Sequence, residues 1–296
     1  MSSSYPYRFL PENSKNESSR SGSSDPTAVP PHIIPGTCRK NSFPLSAQKT
    51  PAETASETED ALPFYVQAAE NHKLFSGERL VDCATKNIPS TNNIAFTSIL
   101  TLYEITKIIY TEKCLEKGIS KAKQEKALLY RPSDDVVEEF ILEVNKFWDT
   151  FMTNIPSIKE YISIDIQNLD HKYRSVEGGN LLFRPIALSQ FVLAIFECKK
   201  RMQITIEEAI TRIGKIPMEI SKSPWKNLLW LEERGNINGR VKKKDLKLLM
   251  MFLVDETILS EKETEELVQY IMGVRDLDAT EYDSILEMLR EVASKN

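Results

Sequence analysis

The chain has 296 residues, 41% hydrophobic and 27% charged, the makeup of an ordinary globular protein of one or two domains with enough apolar residues for a sizeable core. A net charge of −5 excludes a protein that coats nucleic acid through bulk charge, since that affinity comes mostly from neutralising phosphates, and leaves room only for a local basic patch. No run approaches the roughly 18 apolar residues that mark a bilayer span, so no membrane partner is expected.

The first 60 residues hold 12 serines and 8 of the 15 prolines, with no sustained period of 2 or 3.6. Such a segment cannot bury enough apolar surface to offset its ordering entropy, and residues 1–61 read as a disordered Ser/Pro-rich tail. Short apolar pieces at Phe9 and Ile33-Ile34 are the only docking-like features in it.

Helical pattern dominates from Leu62, which opens a helical domain over 62–296; the spacing allows subdomains 62–160 and 161–296. Ile94, Ile99, Tyr103, Ile105, Ile108 and Ile109 lie near one helical face, and Gly118 is placed to stop that helix. Pro132 and Ser133 then precede Asp134 and Asp135, whose charges suit a positive helix N-terminus. Val136, Val137, Phe140, Ile141, Val144, Phe147, Trp148 and Phe151 follow at spacings of three and four, the strongest amphipathic signal in the chain. Ile162, Ile164 and Ile166 alternate with polar residues and predict a short strand. Gly178-Gly179 marks a turn, with Asn180 to Phe183 a second short strand. Pro185 opens a helix, where its missing N–H costs nothing, with Leu188, Phe191, Val192, Ile195 and Phe196 on the buried face. Thr205 with Glu208 and Ser260 with Glu263 fit capping boxes, and Thr280 with Asp283 is a weaker variant. Leu246 to Leu253 is apolar on several faces and belongs at the centre of the C-terminal core. The fold class is therefore mainly α: an irregular domain of seven or eight helices with at most two or three short strands, and no internal repeat.

The chemistry is sparse. No phosphate-binding Gly-rich loop is present, because Gly178-Gly179 and Gly235 with Gly239 lack the spacing and the following Lys-Ser or Lys-Thr. There is no nucleophile elbow. His32, His72 and His171 are too far apart for a metal pair, so no metal, cofactor or catalytic residue is assigned. Cys38, Cys83, Cys114 and Cys198 include no Cys-x-x-Cys pair. In a chain of this size without an apolar leader they read as reduced buried thiols in a cytoplasmic protein.

The candidate nucleic-acid-binding residues are Arg240, Lys242, Lys243, Lys244 and Lys247, which follow the flexible-looking loop Arg234 to Gly239 and open a helix. Lysines there oppose the helix macrodipole, a mild local cost that a functional role would explain, while a solvated basic face is the commoner reading of such a run. Arg174 and Arg184 flank the Gly turn and could together hold a phosphate. Lys199, Lys200 and Arg201 form a smaller patch, and Trp225 and Trp230 could stack on bases or fill the core. From Glu256 onward there are 11 acidic and 4 basic residues, an acidic surface suited to solubility or to a basic protein partner.

Three stretches together resemble the C-terminal part of the DGQHR-domain family, which includes the DndB-like regulators of DNA phosphorothioation. They are Asn87-Ile88-Pro89-Ser90-Thr91 running into Phe96 to Tyr103, then Tyr173-Arg174 through Gly178-Gly179-Asn180 to Pro185, and Pro224-Trp225 with Leu229-Trp230. The match covers residues 75–255. The Asp-Gly-Gln-His-Arg signature, which in the family belongs to an N-terminal ParB-like core, is absent here. The resemblance thus implies biology of DNA modification or phage defence, and no activity. Three functional readings follow. One is a non-enzymatic, DNA-associated or regulatory module acting through protein contacts and non-specific DNA backbone contacts. The second is a protein-binding adaptor with no nucleic-acid role. The third is an enzyme with a site near His171, Arg174 and Arg184.

Overall fold

The computed structural model describes residues 72–75, 77–81, 88–89, 91–124, 133–169 and 172–295; the expected tail at 1–61, Cys38, Cys83 and His171 lie outside them. Among the described residues, eight α-helices and three two-stranded ribbons make a mainly α architecture. The ribbons use six strands of two residues each, more pieces than expected but little strand in all.

Local signals set most helix ends. Helix α1 (Ile99–Glu116) starts at Ser98, whose side chain accepts from the Thr101 N–H at 3.3 Å, and it ends ahead of Gly118 at φ +69°, as its glycine predicts. In α2 (Asp134–Asn154), Val137, Phe140, Val144, Phe147, Trp148 and Phe151 are buried. Val136, counted with that face, is instead 44% exposed. Helix α3 (Pro156–Ser163) replaces the strand expected at Ile162 to Ile166. Pro156 at its first turn and the three-residue spacing of Ile155, Ile158 and Tyr161 outweigh the alternation, because those three are fully buried while Ile162, Ile164 and Ile166 are only half-buried. The buried Arg79 guanidinium closes the far end of α3, donating to the carbonyls of Tyr161 (3.0 Å) and Ile164 (3.1 Å).

The region around Gly178-Gly179 also differs from expectation. Strands β3 (Arg174–Ser175) and β4 (Gly178–Gly179) form an antiparallel hairpin whose turn is Val176-Glu177, so the glycines are strand residues. Residues Leu181–Phe183 are a 3-10 turn capped by Asn180, not a strand. The other ribbons are β1 (Leu80–Val81) with β2 (Thr97–Ser98), parallel, and β5 (Trp230–Leu231) with β6 (Asn236–Ile237), antiparallel.

Helix α4 (Pro185–Met202) is the hub of the core and packs against α1, α5 (Ile206–Ile213) and α6 (Lys243–Val254). Leu188, Phe191, Val192, Ile195 and Phe196 are all buried there, as predicted. From Leu248 to Leu253 helix α6 is apolar all round, because α4, α5, α7 (Glu261–Arg275) and α8 (Tyr282–Ala293) surround it. Ser260 and Glu263 form a complete capping box on α7. Thr205 caps α5 through the Glu208 N–H alone, since the Glu208 carboxylate turns to Arg212. Thr280 caps nothing and lies in a 3-10 turn ahead of α8. The core is continuous across residues 160 and 161. Phe147 stacks on Phe196 at 5.7 Å, Phe151 meets Phe191 edge-on at 6.0 Å, and the described residues belong to one unit rather than two subdomains.

Cys114 and Cys198 are buried free thiols, and burial pushes Cys198 up to about 12, so it is inert. His72 is buried too. Its Nδ1 accepts from the Leu74 N–H at 3.3 Å, which leaves Nε2 to donate to Asp149 at 3.2 Å in the neutral ring. Burial lowers its pKa below 6.5, helped by Lys73, against the Asp149 carboxylate. The unfolded chain therefore binds more protons just below pH 6.5, and stability falls as pH drops through that value. We expect the urea midpoint of the wild type to fall between pH 7.5 and pH 5.5, and this part of the fall to vanish in His72→Gln. An equal fall in both proteins would remove His72 from the account.

Candidate functional site

The five basic residues around the start of α6 lie within eight positions of sequence, but the turn into the helix and its rotation send them to different surroundings. Lys242 is the N-cap, with its backbone N–H on the Tyr270 hydroxyl at 3.1 Å and its ammonium 5.5 Å over the Tyr270 ring. Lys243 lines a groove of about 580 Å³ that α1 and α4 share through Ile108 and Leu193. Lys244 pairs with Glu266 of α7 at 2.5 Å, and Lys247 faces Glu197 of α4 at 3.7 Å. Asp245, buried among them, has its carboxyl pushed up by burial against the pull of Lys242 and Lys244. The acidic α7 thus neutralises part of the basic helix.

Arg240 goes elsewhere, into a cleft of about 840 Å³ between the β5–β6 hairpin and the C-terminal end of α7. Lys226, Arg234 and Arg275 also line it, against Glu232 and Glu233. Arg234 and Arg240 are exposed, whereas Arg275 is half-buried. One Arg275 terminal nitrogen donates to the carbonyls of Pro224 (3.0 Å) and Lys226 (3.3 Å), and its buried Nε has no partner. Lys226 holds Glu232 at 2.6 Å, which leaves Arg234 and Arg240 as the accessible cations on the hairpin side.

The loop that presents them is tied down by a ribbon and by hydrogen bonds at its exit. Gly235 at φ +57° closes the hairpin turn, and the ribbon pairs Trp230 with Ile237. Asn238 locks the exit. Its backbone N–H donates to the Leu229 carbonyl (2.8 Å), its amide to the Leu228 carbonyl (3.0 Å), and its side-chain oxygen accepts from the Arg240 N–H (3.0 Å). Arg234, Arg275 and Lys226 had no signal in the sequence beyond a glycine beside Arg234. Only the return of α7, 35 residues after Arg240, brings the arginines together.

Arg174 and Arg184 are corrected outright as phosphate ligands. Arg174 is fully buried, and its guanidinium donates to the carbonyls of Asn92 (2.8 Å), Ala95 (2.7 Å), Phe96 (3.2 Å) and Phe183. Burial pushes its pKa down to about 9, with Arg184 adding to the shift, so it still carries its proton and all its donors at neutral pH. Arg184 is buried against Trp230 at 5.3 Å and donates to the carbonyls of Ser175 (3.2 Å) and Gly178. Both arginines are committed to backbone carbonyls, and His171, the third residue of the enzyme reading, lies outside the described residues. Trp225 and Trp230 are buried as well, with the Trp225 ring N–H on the Pro217 carbonyl at 2.7 Å, so neither can stack on a base. Of Lys199, Lys200 and Arg201, the first pairs with Glu116 and the last with Glu263 at 2.7 Å.

No protein-family model, curated protein or solved structure matches this chain. Among the described residues no helix is long and apolar enough to cross a membrane.

Proposed function

We propose that the chain is a non-enzymatic binding module that holds a nucleic-acid backbone on the cleft between the β5–β6 hairpin and α7. The observation that carries this reading is the convergence of Arg234, Arg240 and Arg275 on one cleft of about 840 Å³. Arginine forks suit phosphate oxygens, and the pinned hairpin spends little entropy on presenting them. The arginines touch no base-reading element, so recognition is of backbone and not of sequence. The resemblance to DndB-like proteins supports a setting in DNA modification or phage defence.

The few cations make binding modest and salt-sensitive. About three phosphate contacts give a slope of log affinity on log salt near −2.7 for duplex DNA. We expect Arg234→Glu/Arg240→Glu to weaken duplex binding by more than about tenfold at low salt and to flatten that slope by about two. Lys243→Glu, on a different face, should leave both unchanged. Equal binding by the wild type and the double variant would end the proposal.

A second reading, a protein adaptor, is favoured by one feature. Asp276, Asp278, Glu281, Asp283 and Glu287 are exposed and make no ion pair among the described residues. Its test is replacement of these acids by their amides followed by a pull-down. Truncation is the wrong tool, because α7 and α8 bury Leu267, Val268, Ile271, Met272, Ile285 and Leu289 in the core.

A further inference from the structure

We propose that the cleft between the β5–β6 hairpin and α7 takes the phosphorylated end of a nucleic-acid strand, with Arg275 on the terminal phosphate monoester. This rests on the nucleic-acid reading of the same cleft and names the part of the strand that it holds.

The three arginines stand at different depths. Arg234 and Arg240 are exposed, whereas Arg275 is half-buried in the α7 wall. One terminal nitrogen of Arg275 is committed to the Pro224 and Lys226 carbonyls, and the other has no protein partner. Burial lowers its pKa, and no carboxylate acts against that shift. A half-buried cation without a counter-ion is unfavourable, and a bound anion would relieve it. Only a group that enters the cleft reaches this arginine. A phosphate inside a continuous strand carries a sugar on both sides. A terminal one has a sugar on one side only and turns three acceptor oxygens the other way.

The charge of the lining fits one monoester better than a run of diesters. Lys226 and Glu232 cancel each other at 2.6 Å, which leaves three arginines against the exposed Glu233. That surplus of two positive charges matches a phosphate monoester, which carries nearly two negative charges at neutral pH. A strand running through the cleft would instead bring successive phosphates past Glu233. Leu231, Val274 and Leu277 supply an apolar wall beside the arginines, and Leu277 is 37% exposed. The sugar and base of a terminal nucleotide would cover that wall. A cleft of about 840 Å³ is the size of a small-molecule site and accommodates one nucleotide.

The test is fluorescence anisotropy of the full chain with one DNA sequence, labelled internally, in four forms: a single strand with a 5′-phosphate, one with a 3′-phosphate, one with hydroxyls at both ends, and the same strand closed into a circle. We expect one phosphate-ended strand to bind at least about tenfold more tightly than the hydroxyl-ended strand and the circle, the gain of one charge-assisted contact. Which phosphate is preferred identifies the end. Gly273→Leu probes the depth of entry. Gly273 is exposed on α7 and lines the cleft, an added Cβ there meets nothing within 4 Å, and leucine is the better helix former, so the variant should fold. It should lose the preference for the phosphorylated end and keep binding of the circle. Equal affinity for all four forms, or an unchanged end preference in Gly273→Leu, would overturn the assignment. If the four forms bind equally and Arg234→Glu/Arg240→Glu still weakens them all, the backbone reading stands without a strand end; if that variant binds like the wild type, both fall.

Discussion

Arg174→Met is expected to destabilise the folded chain by about 3–5 kcal/mol, the cost of several buried carbonyls left without donors, a loss that would leave many small domains unfolded. Arg174 joins two parts of the chain far apart in sequence. Its fork spans the carbonyls of Asn92, Ala95 and Phe96 ahead of α1 and of Phe183 ahead of α4. Three of these four carbonyl residues are buried, so removing the donors leaves acceptors with neither protein nor water to bond. Methionine restores the volume and none of the hydrogen bonds. Arg174→Lys keeps the charge but replaces a planar fork of five donors by one ammonium with three, which cannot serve both sides at once. We expect it to recover less than half of the loss. Urea unfolding measures both, with the midpoint moving at constant slope. A shift below about 1 kcal/mol for Arg174→Met would show that the linkage is dispensable. Arg240→Met, on the exposed hairpin side, should stay within about 0.5 kcal/mol.

Gly179→Ala should cost about 3 kcal/mol. Gly179 sits at φ +112°, where an L side chain is strained by about 1–3 kcal/mol. An added Cβ would also lie 2.5 Å from the Tyr173 carbonyl oxygen and 2.8 Å from its carbon. Both are backbone atoms of the facing strand, so nothing flexible can yield, and overpacking adds a comparable term. Gly239→Ala is the control, since a Cβ there meets nothing within 4 Å. We expect a large drop in thermal midpoint for the first and little change for the second. Similar midpoints would mean that the β3–β4 hairpin relaxes without loss.

The two sites were legible to different degrees. Arg240 was read from its place in a basic run, and it does reach a cleft. Its neighbours Lys244 and Lys247 do not, because one turn of helix carries them onto α7 and α4, where Glu266 and Glu197 meet them. Arg174 and Arg184 looked like phosphate ligands because an arginine on either side of a Gly turn is the same pattern whether it points outward or inward.

What the amino-acid order determines by itself is the set of helices and most of their ends. Period 3.6, Pro185, Gly118 and the Ser260–Glu263 box act within one or two turns, so they are readable without knowing the fold. Tertiary structure decided the rest. It chose helix over strand at Ile162 by burying Ile158 and Tyr161, turned two arginines into backbone clamps, and cancelled lysines with distant glutamates. The physical reason is range. Propensity and capping are contacts over three or four residues, whereas burial and ion pairing depend on which residues return from far along the chain, and those terms are large enough to override the local ones.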